Sequence, residues 1–295
     1  MLERRTDLAM EAHELRGKGG ALPGVESRET QAEGFPLTTV RVMGPEGAKA
    51  LGKPEGTYHT LDLTGLERRE ENAFPRSVRA LSGLLSPLLP KEGDVLVVGL
   101  GNRAITPDAV GPLAADRTLV TRHLIELSPE HFGSFRPVAA LAAGVLGTTG
   151  IESGEIVRAV ADKVGVGAVI AIDALAARRV ERLCATVQVC DVGIAPGSGV
   201  GNHRFALDRE SLGVPVIAVG VPTVVDGATL AADLLEEAGA ELDPGMLKNA
   251  PGASLMVTPR DIDQRVEDLA KVIGYAVSLS LQPELDLAGL EMLIE

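Results

Sequence analysis

The sequence predicts an α/β fold: a mostly parallel central sheet with helices on both faces. Two observations carry that expectation. Short, uninterrupted runs of apolar residues recur along the chain: DVLVVGL (94–100), RPVAALAA (136–143), GAVIAIDA (167–174), LCATVQVC (183–190) and VPVIAVGVP (214–222). Strands with no polar face belong to a sheet that is covered on both sides. Helical patterns lie between most of these runs, and that alternation is how a parallel sheet is wound.

The remaining elements follow in chain order. LAMEAHEL (8–15) reads as a helix that Thr6 or Asp7 is placed to cap through a backbone N–H two or three residues on. Residues 17–34, rich in glycine and charge, read as an exposed arm or loop. FPLTTVRVM (35–43) reads as a strand, and ENAFPRSVRALSGLLSPLL (71–89) holds a helix bracketed by Pro75 and Pro87. The first apolar run is followed by the helical DAVGPLAADRTLVTRHL, and the second by TTGIESGEIVRAVADKV, where Thr149 and Glu152 have capping-box spacing. DGATLAADLLEEAG follows the fifth run, and RDIDQRVEDLAKVIGYAVSLSL (260–281) closes the fold. The stretch 240–254 is a Pro/Gly connection, and no internal repeat is visible.

Composition narrows the function classes. Hydrophobic residues make up 45% of the 295, yet only five Phe, two Tyr and no Trp are among them. Stacking platforms for single-stranded nucleic acid are therefore scarce. A net charge of −13, from 41 acidic against 28 basic residues, repels phosphate backbones and anionic membranes. Nucleic acid and membrane are thus not expected as direct partners. Cys184 and Cys190 lie about 20 Å apart if LCATVQVC is extended, beyond disulfide reach, and read as two small buried hydrophobes in a reducing, cytoplasmic compartment. No signal peptide is evident, and the longest uncharged stretch, 137–151, is too short to span a bilayer.

Ligands of an open parallel sheet bind beyond the carboxyl ends of its strands. Four carboxylates fall there: Asp108 after the first apolar run, Asp173 at the end of VIAID, Asp191 after LCATVQVC, and Asp226 after VIAVGVP and Thr223. Asp108, Asp191 and Asp226 each have a capping role open to them. Asp173 does not, and an ionised carboxylate at the end of an apolar strand is costly. Two carboxylates facing one another share a proton, so one can draw a proton from water while the other polarises a carbonyl. The same groups suit a divalent cation, but His123 and His203 lack ligand spacing, so no metal and no cofactor is expected. No GxSxG elbow is present, and GLGN (99–102) and GSGVGN (197–202) read as tight turns. A peptide hydrolase, a metal-dependent hydrolase and a non-catalytic anion-binding protein all remain open on these residues.

Longer segments narrow the choice. VVGLGNRAITPDAVGPLAADRTLVTRHL, LGTTGIE, VIAIDALAARRVERL, DVGIAPGSGVGN, GVPVIAVGVPTVVD and LMVTPRDID closely resemble the germination proteases of spore-forming bacteria, in order from about residue 5 to 280. These are atypical aspartic endopeptidases that degrade small acid-soluble spore proteins during germination. The resemblance implies a fold similar to hydrogenase-maturation endopeptidases. It also implies catalytic aspartates at Asp108 (in TPD) and Asp173 (in AID), a homotetramer, and a location in the forespore or spore core. Members are zymogens that cut their own N-terminal prosegment after an acidic residue. RTDLA (5–9) fits that context, which makes Asp7–Leu8 the processing site, residues 1–7 the prosegment and 8–295 one catalytic domain. Accepting an acidic side chain calls for a cation, and Arg103, Arg122, Arg178 and Arg204 lie in or near the strand-end loops. Three departures from the family are visible: a short prosegment, a short 240–254 connection, and Ala195 where relatives often carry His.

Overall fold

The computed structural model describes residues 6–195, 205–239 and 255–294. Within them one sheet contains β1 (Val25–Ala32), β2 (Phe35–Val42), β3 (Gly56–Asp62), β4 (Val95–Leu100), β5 (Val138–Gly144), β6 (Ala168–Ala177), β7 (Thr186–Cys190), β8 (Val216–Asp226) and β9 (Met256–Val257). The order across the sheet is β1-β2-β3-β7-β8-β6-β4-β5, with β9 added to β8. Strands β5, β4, β6 and β8 are parallel neighbours, and each is one of the apolar runs. Strands β1, β2, β3 and β7 form an antiparallel wing joined to β8, so the sheet as a whole is mixed.

Helices cover both faces, as the α/β reading requires. Along β4, Val95 and Val97 pack with the helices Ala73–Leu85, Val110–Asp116 and Ile262–Leu281, while Leu96, Val98 and Leu100 pack with Ser153–Val164. Burying each such side chain stabilises the fold by about 1.5–3 kcal/mol. The helices Ala9–Arg16 and Gly44–Leu51 cover the wing through Ala9, Ala12 and Leu51 against Val40, Val42 and Tyr58. No described helix is long and apolar enough to cross a membrane.

Several local expectations are corrected. Residues 25–32 are not an arm but β1, the sheet's edge, which turns into β2 through Glu33 and Gly34 at φ 50° and 80°. Two successive residues of positive φ form the tight hairpin turn whose twist matches the strands. LCATVQVC is a strand only from Thr186, because Cys184 precedes it at φ 53°. Both thiols are free and buried, and burial pushes each up to about 12. DAVGPLAADRTLVTRHL splits into Val110–Asp116 and Arg122–Leu127. The Thr149–Glu152 capping box does not form; the Thr149 hydroxyl instead bonds the carbonyls of Val145 and Ile151.

Two glycines bring the carboxyl ends of β4 and β6 close to their neighbours. A Cβ on Gly111 would meet the carbonyls of Leu100 and Ile172 at 2.3 and 2.4 Å, so only glycine lets the Val110–Asp116 helix lie against the strand ends. Gly101 has φ +111°, and a Cβ there would sit 2.0 Å from the Asp108 carbonyl oxygen. The turn carrying Asp108 can tuck under β4 only because that atom is missing. Gly101→Ala is expected to lower stability by about 2–4 kcal/mol, read as a fall in the thermal midpoint, and to impair any activity that needs Asp108 in place.

Candidate active site

Asp173 is the one charged residue in the apolar strand β6, and it is only 5% exposed. Its Oδ1 accepts from the Ala174 N–H at 2.9 Å. Asp108 ends a single 3₁₀ turn, Thr106–Asp108, after β4, and its Oδ2 accepts from the Asn102 N–H at 2.6 Å. The two carboxylates line one cavity of about 330 Å³, together with Ile105, Leu175, Thr223 and Asp7. Thr223 is fully buried, and among the described residues its Oγ1 has no hydrogen-bond partner.

The other strand-end carboxylates serve the fold. Asp226 caps the helix Gly227–Glu237 by accepting from the Thr229 N–H at 3.0 Å and hydroxyl at 3.1 Å. Asp191 accepts from the Thr57 N–H at 2.8 Å, tying β7 to the start of β3. Of the four arginines, Arg103 is paired with Asp116, and Arg122 with Asp94 at 3.4 Å and Glu126 at 3.8 Å. Arg178 is 4% exposed and held 3.0 Å from Asp233. None of these three lines the cavity that holds Asp108 and Asp173. Arg204, His203 and the GSGVGN loop lie outside the described residues, and His123 is exposed. Among the described residues, no group of three or more His, Cys, Asp or Glu is placed to hold a metal ion.

The N-terminal segment runs into this cavity. The Asp7 N–H donates to the Ala176 carbonyl at 2.9 Å, and Asp7 Oδ2 accepts from the Ala176 N–H at 2.8 Å. The helix Ala9–Arg16 begins with Leu8 as its N-cap and no side-chain cap, so Asp7 spends its carboxylate on β6 and not on the helix. Thr6 Oγ1 accepts from the Leu8 N–H at 3.1 Å and donates to the buried Glu11 at 2.5 Å. Glu11 in turn accepts from the N–H groups of Arg178 and Arg179 at 2.7 and 3.0 Å. Burial pushes the Glu11 carboxyl up, and those hydrogen bonds partly offset it.

A second cavity, about 360 Å³, meets the first at Asp7, Leu175 and Ala195 and is walled by Lys53, Tyr58 and Gln188. Lys53 Nζ reaches the carbonyls of Thr6 and Asp7 at 3.3 and 2.9 Å. Burial pulls its ammonium below the usual lysine range, and the nearby Asp7 carboxylate pulls it back. Sequence reasoning singled out neither Lys53, Gln188 nor Glu11. Gln188 alone left a signal, a polar residue inside an otherwise apolar strand run.

Comparison with known proteins supports a peptidase. The germination protease family profile matches residues 3–242. The germination protease of Caldanaerobacter subterraneus subsp. tengcongensis is 44% identical, over 95% of each chain. That of Clostridium perfringens is 41% identical over 97% of each, and that of Priestia megaterium 36% identical over 96% of this chain and 94% of its own. The chain belongs to the germination protease family. As a germination protease it is a peptidase whose role is in spore germination. Among solved structures, a [NiFe] hydrogenase maturation protease, HycI from Thermococcus kodakarensis KOD1, matches with TM-score 0.38 and 18% identity over 66% of this chain and 98% of that one. That likeness is too loose to bear on the site.

Thr223 lines the cavity, and its hydroxyl is sealed from solvent with no partner among the described residues. Thr223→Val keeps the shape and removes a buried polar atom without a partner. Stability is expected to hold or rise by up to about 1 kcal/mol, read as the thermal midpoint of variant against wild type.

Proposed function

We propose that this germination protease is a self-processing endopeptidase that cuts after an acidic residue, using a water activated by Asp108 and Asp173. The observation that carries the reading is that Asp7, the residue before the expected cut, lines the same cavity as both carboxylates. Residues 1–7 are then the prosegment and 8–295 the catalytic body. The substrates are the small acid-soluble proteins of the spore core, degraded by a homotetramer.

The chemistry follows from two carboxylates in one sheltered space. Close carboxylates do not both ionise readily, so the pair holds one proton. The ionised member takes a proton from water, and the resulting hydroxide adds to the carbonyl carbon before the cut. The C–N bond then breaks, and a proton passes from the pair to the leaving amine. Recognition of the acidic side chain falls in this reading to the groups around Asp7. The Ala176 N–H meets its carboxylate at 2.8 Å, and the Lys53 ammonium lies close enough to be influenced by its charge. Of the arginines the sequence singled out, Arg103, Arg122 and Arg178 are each engaged by a carboxylate outside the cavity.

Intact mass after incubation at mildly acidic pH tests the reading. Wild type is expected to lose residues 1–7, with or without a chelator. Asp108→Asn and Asp173→Asn should slow that loss by at least about 10³-fold. Chelator-sensitive cleavage would point to a metal-dependent hydrolase. Full mass in all three, with no action on an added spore-protein substrate, would leave only a binding role. Cleavage persisting in both variants would place the chemistry on other residues.

A further inference from the structure

The Asp7–Leu8 bond is also gripped from the second cavity, which adjoins the one that holds the aspartates. The Asp7 carbonyl oxygen accepts from Lys53 Nζ at 2.9 Å and from Gln188 Nε2 at 3.4 Å. The same Gln188 accepts through its Oε1 from the Ala9 N–H at 2.8 Å. One side-chain amide thus spans the bond, holding the carbonyl before it and the second N–H after it. Gln188 is itself 7% exposed and rigid, because β7 is paired on both sides, with β3 and β8. Asp7 is fixed a second time by its two hydrogen bonds to Ala176. The carbonyl is therefore held in orientation by donors on its oxygen and by a strand on its other edge.

Anchoring a terminal segment does not call for a half-buried ammonium. A neutral amide satisfies a carbonyl, whereas burying a lysine charge is expensive unless something repays it. An oxygen that gains negative charge during reaction does repay it, and fixed donors in a water-poor site stabilise such an oxygen far more than a resting carbonyl. We propose that Lys53 and Gln188 are catalytic residues of this peptidase: they bind the carbonyl oxygen of the residue before the cut, in the chain's own Asp7–Leu8 bond and in its substrates. The inference rests on the reading of Asp7–Leu8 as a bond cut by Asp108 and Asp173.

The step balances with these groups. As water attacks the Asp7 carbonyl carbon, a new C–O bond forms and the C=O π pair moves onto the oxygen facing Lys53 and Gln188. The water proton goes to the aspartate pair. When the intermediate collapses, the C=O re-forms, the C–N bond breaks, and the Leu8 nitrogen takes a proton from the pair. Lys53 and Gln188 neither gain nor lose a proton.

The test uses the full chain and follows release of residues 1–7 by intact mass, with Asp108→Asn as the uncut reference. Lys53→Met is expected to slow release about 10²–10³-fold, the usual cost of one oxyanion donor. Lys53→Arg, which keeps a cation, should recover at least tenfold of that loss, and Gln188→Met should slow release about tenfold or more. Amide hydrogen exchange over residues 7–12, in the uncut Asp108→Asn background with and without Lys53→Met, separates catalysis from anchoring. Protection retained while cleavage is lost supports the inference. Protection lost in step with cleavage makes Lys53 an anchor and overturns it, as does release within threefold of wild type in both Lys53→Met and Gln188→Met. If Lys53→Met does not fold, Lys53→Gln is subject to the same comparisons. Wild type that never opens at Asp7–Leu8 would instead sink the underlying reading of the bond.

Discussion

The site depends on β6 outrunning β4. Pairing of β4 with β6 stops at Gly99–Ile172, while β6 continues beside β8 as far as Ala177–Val225. From Asp173 onward, β6 has lost its neighbour on one edge. Backbone N–H and C=O groups left inside a fold must find partners, and at Ala176 both are taken by Asp7. The turn carrying Asp108 fills the same corner, brought there by Gly101 and Gly111. Asp173, Asp108 and the N-terminal segment thus meet because a central strand is longer than its partner.

That corner is held by charge as well as by backbone. Glu11 is completely buried and draws in two backbone N–H groups immediately after β6, with Arg182 3.3 Å away. Arg178, from the same segment, is locked to Asp233 of the helix Gly227–Glu237. Such interactions contribute little net stability after desolvation, but breaking one leaves an uncompensated charge. They therefore fix the geometry of the strand end more than they stabilise the fold. The anchors divide at the proposed cut. Glu11 and the Ala9–Gln188 bond lie after it and stay with the body, whereas Asp7 and Thr6 lie before it. On the proposed reading, removal of residues 1–7 gives Ala176 and Lys53 back to an incoming peptide while the helix Ala9–Arg16 keeps its hold.

Much of this was legible in the sequence, and the parts that were not share a cause. Strands β4, β5, β6 and β8 are buried on both faces and so wrote themselves as apolar runs. The rule that ligands bind at the carboxyl ends of parallel strands picked out Asp108, Asp173, Asp191 and Asp226, and the structure brings the first two to one cavity. Strand β1, VESRETQA, has no apolar face to betray it: six of its eight residues are exposed, and only pairing with β2 makes it a strand. The arginines drew notice as cations, but whether a cation is committed elsewhere is a tertiary fact. Lys53 sits in GKPEG with nothing to mark it, and it reaches the Thr6 and Asp7 carbonyls only because the N-terminal segment passes over β3 and β7.

One irregularity of the sheet links the fold to the chemistry. The register of β6 against β8 slips between Leu175 and Ala176, pairing Leu175 with Pro222 and Ala176 with Val224. Thr223 is the residue the slip leaves over, and bulges of this kind re-aim side chains next to functional sites. Thr223 lines the cavity that holds Asp173, its hydroxyl buried without a partner among the described residues, while its carbonyl accepts from the Thr258 hydroxyl at 2.9 Å. A buried orphan hydroxyl costs about 1–3 kcal/mol, and a fold under selection for stability alone has an easy remedy in valine, which has the same shape. The slip also carries Ala176 to where Asp7 needs it, so one extra residue in β8 sets both the open strand edge that receives the peptide and the polar wall opposite it.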